Sequence, residues 1–152
     1  MEISLKICVW LVLADQIISI ASGRYLLPLV CRIVGAVLSV MGTIIFITAV
    51  STMRDSWRAG IPKTDKTELV TTGIYQWSRN PAFLGFDLLD LGILLMFFNW
   101  VLFVLSVLAV ILYHLQIVNV VEDFLLETFG KDYAGYRKKV RRYYGRKRIL
   151  KL

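Results

Sequence analysis

The amino-acid sequence predicts an all-α integral membrane protein: about four transmembrane helices, a polar loop between the second and third, and an amphipathic C-terminal helix. Three observations lead there. Of 152 residues, 57% are hydrophobic, above the roughly 45–50% of soluble domains, and the mean hydropathy is +0.65. Several apolar runs approach or exceed the ~18 residues that a bilayer crossing needs. The charge is segregated: within a net charge of +7, ten of the eighteen Lys and Arg lie between Lys131 and Lys151, and five more between Arg54 and Arg79. A chain of this length is one domain.

The first span runs over about 4–20, interrupted by Asp15 and Gln16, which face either the bundle interior or an interface. Lys6 and an apolar stretch near the start have no small-residue cleavage site after them, so this segment is expected to be retained as a span. After a turn at Gly23-Arg24, the second span covers about 26–50. Arg32 is near enough to its start to snorkel, and Gly35, Ala36, Ser39 and Gly42 put small residues on nearby turns, as close helix packing needs. Cys8 and Cys31 lie inside apolar runs, where cysteine is a small hydrophobe; neither a disulfide framework nor a metal site is expected.

The loop from Ser51 to Ser78 is long for a small membrane domain. Ile61-Pro62-Lys63 breaks any helix, Lys66–Val70 suits a short extended piece, and Gly73 permits a tight turn. The third span covers about 81–98, with Pro81 suited to its first turn. Asp87 and Asp90 share one of its faces, as a cavity lining or as partners for Arg79 or Arg32. Asn99-Trp100 makes the next turn, and the fourth span covers about 101–121. It carries the sole histidine, His114, either as a hydrogen-bonded packing residue or as a functional one. Glu122 and Asp123 end the apolar run. From Phe124 onward Leu125, Phe129, Tyr133, Tyr136, Val140 and Tyr143 recur at spacings of three and four, the apolar face of a basic helix, with a break expected at Gly130.

Positive charge marks the cytoplasmic side, which puts the loop, the tail and both termini there. The same rule, with attraction to anionic lipid heads, accounts for the basic residues without a nucleic-acid partner. The topology then brings Arg79 and Asn80, at the start of the third span, to the membrane face where Glu122 and Asp123 end the fourth. One cation and two anions are expected in a polar pocket at the water–lipid boundary. An arginine there is costly unless it has a role, so the stretch Thr72–Gly85 is the first candidate for chemistry.

Gly73-Ile74-Tyr75 followed by Ser78-Arg79-Asn80-Pro81-Ala82-Phe83-Leu84-Gly85 resembles the G-x-Y-x-x-x-R-[HN]-P-x-Y-x-G signature of the isoprenylcysteine carboxyl methyltransferase and phospholipid methyltransferase group. Glu122-Asp123-Phe124-Leu125, Phe129–Tyr136 and Val140–Tyr143 resemble that family's E-E-x-x-L, F-G-x-x-Y-x-x-Y and V-x-R ending. The resemblance covers about 69–144, and its two motifs flank a predicted helical hairpin. It departs from the pattern at Asn80, where histidine is frequent, at Phe83 in the place of a tyrosine, and at Val121 in the place of the first glutamate.

The resemblance implies a membrane enzyme that binds S-adenosylmethionine in its C-terminal half and methylates a lipophilic acceptor at the cytoplasmic face. It implies cofactor contacts from Tyr75, Arg79, Asn80, Pro81, Gly85, His114, Glu122, Tyr133 and Tyr136. Arg79 and Glu122 are the catalytic candidates; packing of the tail helix is the alternative role for the tyrosines. Two other readings stay open. Membrane sterol reductases resemble the family in their C-terminal half and bind NADPH in a similar place; a non-catalytic membrane scaffold would leave Arg79 and Glu122 as a structural ion pair.

Overall fold

The computed structural model describes residues 2–23, 25–54 and 68–146. The expected helix break at Ile61-Pro62-Lys63, and Lys66 and Thr67 of the expected extended piece, lie outside these residues. Helix α1 covers Glu2–Ser22 and α2 Leu29–Met53. A single 3-10 turn, Gly73–Gln76, leads to α3, Pro81–Met96. Helix α4 covers Trp100–Gln116 and passes through a π turn, Ile117–Val121, into α5, Glu122–Lys139.

The local sequence explains the boundaries. Pro28 precedes α2 by one residue, so that helix starts three residues later than its apolar run, because the residue before a proline disfavours helical ψ. Pro81 opens α3, where its missing N–H leaves no bond unmade. The Asn99 side chain accepts a bond from the Leu102 N–H at 2.8 Å and caps α4. Gly73 opens its 3-10 turn with a φ of 57°, and Gly130 breaks α5 with a φ of 48°; a side chain would oppose both conformations.

Among the described residues, three helical paths are long and apolar enough to cross a membrane: Ile3–Ser22, Leu29–Met53 and the continuous Trp100–Lys139. The last has 40 residues, about 60 Å of helix against a hydrocarbon core of roughly 30 Å. Its apolar part ends where Glu122 and Asp123 begin the charged stretch. Helix α3 has 16 residues, about 24 Å, and is too short to span alone without tilt or local thinning.

The helices run up and down in turn. Asp15 and Ser19, late in α1, both bond the Asn99 side chain at the start of α4, at 3.0 and 2.7 Å. Gln16 donates to Asp90 at 2.9 Å and ties α1 to α3. Asp90 therefore pairs with a glutamine, and neither Asp87 nor Asp90 pairs with Arg79 or Arg32 among the described residues, contrary to one expectation. Arg32 instead lies 3.6 Å from the Tyr25 ring centroid, a cation–π contact near the end of the bundle.

The tightest seam is α2 against α3. A methyl group added at Gly42 would lie 2.6 Å from the Gly85 carbonyl oxygen, and one at Gly35 would lie 2.6 Å from that of Gly92. Helix backbones approach this closely only where neither side carries a side chain. The seam fixes where α3 begins, and so where Arg79 and Asn80 stand.

Gly42→Val should therefore cost roughly 1–3 kcal/mol by overpacking, read as a lower unfolding midpoint in detergent micelles. An unchanged midpoint would mean that the two backbones are not in contact at this site.

Candidate active site

At the end of the bundle where α2 finishes and α3 begins, the chain builds a compact charged cluster around Glu122. The π turn delivers Glu122 as the first residue of α5, and it is only 3% exposed. Single π turns inside α-helices are frequent at functional sites. Arg79, two residues before α3, is 8% exposed. Its Nη2 lies 3.0 Å from Glu122 Oε1, and its Nη1 donates to the Tyr133 hydroxyl at 2.8 Å.

Two more guanidiniums face the same carboxylate. Arg142 donates from Nε to Oε1 at 2.7 Å and from Nη2 to Oε2 at 3.2 Å, the forked geometry of a strong charge-assisted pair. Arg137 Nη2 lies 3.8 Å from Oε2. The expected pocket of one cation and two anions is thus reversed: one carboxylate faces three cations, and Asp123 is exposed. The cause is the tail. Residues 140–146 fold back as a strap, joined by an isolated bridge between Val140 and Arg146, and carry Arg142 inward. The hydrogen bond to Glu122 raises the Arg142 pKa above its ordinary value.

Backbone bonds hold the strap across the entrance to α3. The Arg79 N–H donates to the Arg141 carbonyl at 3.2 Å, and the Gly145 N–H to the Trp77 carbonyl at 2.7 Å. The Arg142 carbonyl accepts from Ser78 Oγ at 3.4 Å and from Asn80 Nδ2 at 3.3 Å. Asn80 thus acts as a donor to the strap, a role an amide fills without any acid–base chemistry.

The tyrosines divide in role. Tyr133 is buried and accepts from Arg79. The Tyr136 hydroxyl donates to the Tyr75 and Ser78 carbonyls at 2.5 and 3.3 Å and clamps α5 onto the 3-10 turn. Burial pushes the Tyr75 phenol up to about 12, so it is neutral at physiological pH. His114 is exposed at the end of α4 and bonds the Tyr143 hydroxyl, next to Arg142. Pro81 is fully buried at the start of α3. Gly85 stands apart from the cluster, with its face against the backbone of α2.

The sequence motifs include Ser78 and Arg142 but suggest no role for either, and Arg137 carries no sequence signal. Their partners lie 20 residues away for Arg142–Glu122 and 64 for Ser78–Arg142. Only the motif spacing hinted at Arg142.

Two features of the cluster match what an anionic group would need. Three guanidiniums against one carboxylate leave a surplus of positive charge. Arg79 Nε is buried and has no hydrogen-bond partner among the described residues, a costly state for a charged donor that an added anion would relieve.

Arg142→Ala should free the strap. Limited trypsin digestion should then cut after Arg141 and Arg146 faster than in the parent protein, with a stability loss of roughly 1.5–3 kcal/mol for the lost charged bonds. Equal digestion rates would mean that the backbone bonds alone hold the strap.

Comparison with known proteins bears on this geometry. The phospholipid methyltransferase family model matches residues 30–132. The protein-S-isoprenylcysteine O-methyltransferase of Saccharomyces cerevisiae is 32% identical over 113 residues, 72% of this chain and 47% of that protein. The Schizosaccharomyces pombe protein of the same name is 38% identical over 72 residues, 47% of this chain and 30% of the other. A solved structure of the eukaryotic intramembrane Ras methyltransferase, isoprenylcysteine carboxyl methyltransferase, superposes with a TM-score of 0.66 at 24% identity. It covers 73% of this chain and 40% of that one, a likeness of fold. The chain spans less than half the length of these relatives. With the family model covering α2 through the first half of α5 and the helical fold shared, the chain belongs to the phospholipid and isoprenylcysteine methyltransferase family.

Proposed function

We propose that this chain is a membrane methyltransferase that binds S-adenosylmethionine at the Arg79–Glu122 cluster and methylates a lipophilic acceptor at the cytoplasmic membrane face. The observation that carries the reading is the buried carboxylate–guanidinium cluster, with its surplus positive charge and the unpartnered Arg79 Nε, in a chain of this family.

The residues fit the cofactor's chemistry. The Arg79 guanidinium is a planar donor suited to a carboxylate. On Glu122, Oε1 already accepts from Arg79 and Arg142. Oε2 takes one close bond from Arg142 and keeps room for a hydroxyl or ammonium donor. Asn80 and His114 flank the cluster as further hydrogen-bonding groups, and Tyr75, Tyr133 and Tyr136 wall it. The cofactor, when bound, supplies an electrophilic methyl group on a sulfonium.

The chain's own work is positioning and exclusion of water. The named acceptor of the relatives is an S-isoprenylcysteine, methylated on oxygen. A prenylcysteine-like carboxylate is the acceptor class this suggests, with the prenyl chain held in the lipid beside the helices. An ionised carboxylate is already nucleophilic, so no general base is required, and Tyr75 is neutral in any case. The strap and its neighbours bury Glu122 and Arg79, and the acceptor would approach from the lipid side. The orientation, with loop and tail cytoplasmic, rests on their excess of Lys and Arg.

The test is calorimetric titration of the purified protein with S-adenosylhomocysteine and, separately, with NADPH. Micromolar binding of the first and none of the second is expected; NADPH binding would move the protein to the reductases, and binding of neither would leave the cluster structural. Glu122→Ala should abolish S-adenosylhomocysteine binding, and unchanged affinity would remove Glu122 from the site. Arg79→Lys keeps the charge but loses the planar fork, so turnover should fall at least tenfold in a methyl-transfer assay with a prenylcysteine acceptor. Near-parental turnover would leave Arg79 with a structural role only.

A further inference from the structure

Outside the Glu122 cluster, a second feature on the same end of the bundle has no assigned role. An open cleft of about 870 Å³ lies between residues 69–76 and α5. Lys131, Lys139 and Arg146 line it, with Asp132 as the sole acid among its lining residues. We propose that this cleft binds the phosphate of an anionic membrane lipid, with Lys131, Lys139 and Arg146 as its cationic groups.

The placement of these residues is regular. Lys131, Gly135 and Lys139 follow one another at intervals of four, so they share one face of α5. Gly135 stands between the two lysines and leaves the space between them open; a methyl group built there meets no heavy atom within 4 Å. Arg146 enters from the strap. Its backbone is held by the bridge to Val140, and its Nη2 donates to Gln76 Oε1 at 3.3 Å. Both lysines are exposed, and among the described residues neither forms an ion pair.

A lipid suits the cleft better than a free phosphate for two reasons. First, the wall formed by residues 69–76 stands at the end of α2, where the apolar run finishes: Gly73 lies against the Thr52 side chain. Trp77 and Tyr144, 54% and 70% exposed, flank the same region and suit the headgroup level. Second, Leu69, Tyr136 and Val140 give the cleft apolar surface beside its charges, which suits the start of a lipid's acyl chains and which an inorganic anion does not need. Basic groups near a bilayer attract anionic lipids; here they converge on one concavity. A lipid seated there would hold α5 and the strap at the membrane surface.

The test uses the whole protein in a neutral detergent micelle, titrated with phosphatidylglycerol or phosphatidylcholine and read by native mass spectrometry. One retained phosphatidylglycerol, and no retained phosphatidylcholine, is expected. The double variant Lys131→Ala with Lys139→Ala should bind roughly thirtyfold more weakly. Gly135→Leu should weaken binding equally with every charge in place, because its side chain fills the cleft; leucine is the better helix former, so the helix persists. Lys138→Ala, on the same helix but outside the cleft, should bind like the parent. Parental affinity in Gly135→Leu, or an equal loss in Lys138→Ala, would show diffuse surface charge and overturn the proposal. Displacement of the lipid by inorganic phosphate at equal molarity would overturn the choice of a lipid.

Discussion

A carboxylate buried at the mouth of a helix bundle is the constraint on which the polar end of this protein depends. Glu122 is almost inaccessible, and an isolated charge in that position would be strongly unfavourable. Arg79, Arg142 and, more distantly, Arg137 compensate it. Each comes from a different stretch: the entrance to α3, the strap and the outer half of α5. The carboxylate is thus a point to which three segments are tied. Removing one partner of such a group costs far more than the pair itself contributes, so the cluster fixes the relative placement of the entrance to α3, the start of α5 and the strap.

The apolar part of the molecule serves that arrangement. The α2–α3 seam, built on Gly35, Gly42, Gly85 and Gly92, brings two backbones into direct contact and sets the depth at which α3 begins. The π turn before Glu122 changes the winding where α4 leaves the apolar layer. Tyr133 and Tyr136 then join the inner face of α5 to Arg79 and to the 3-10 turn. These hydroxyl bonds make the tyrosines supports of the cluster, whatever contacts they also make with a ligand.

Much of this was legible in the residue pattern, and the divide follows the range of the interactions. Pro81 at the start of α3, Asn99 before α4 and the break at Gly130 follow from backbone chemistry within a few residues. The meeting of Arg79 with Glu122 followed from charge asymmetry and an up-and-down chain. The reversal of the pocket's charge did not, because Arg142 reaches Glu122 only when the tail folds back. Gly85 shows the same limit: its place in a motif suggested a ligand contact, while its position in the fold puts it against α2. The pairing of Asp90 with Gln16 was hidden because α1 and α3 are 74 residues apart at that contact.

By itself the sequence determined that the chain is helical and membrane-embedded, where α3 and α4 begin, and that its polar chemistry gathers at one end. Hydropathy, helix-start residues and charge asymmetry act locally or add up along the chain, so they survive without coordinates. Only the tertiary structure decided how many cations surround Glu122, that a strap covers the entrance to α3, and that two lysines and an arginine border a single cleft. Those features arise where segments remote in sequence meet, and a buried charge or a close backbone contact selects its partner by geometry that no local pattern encodes.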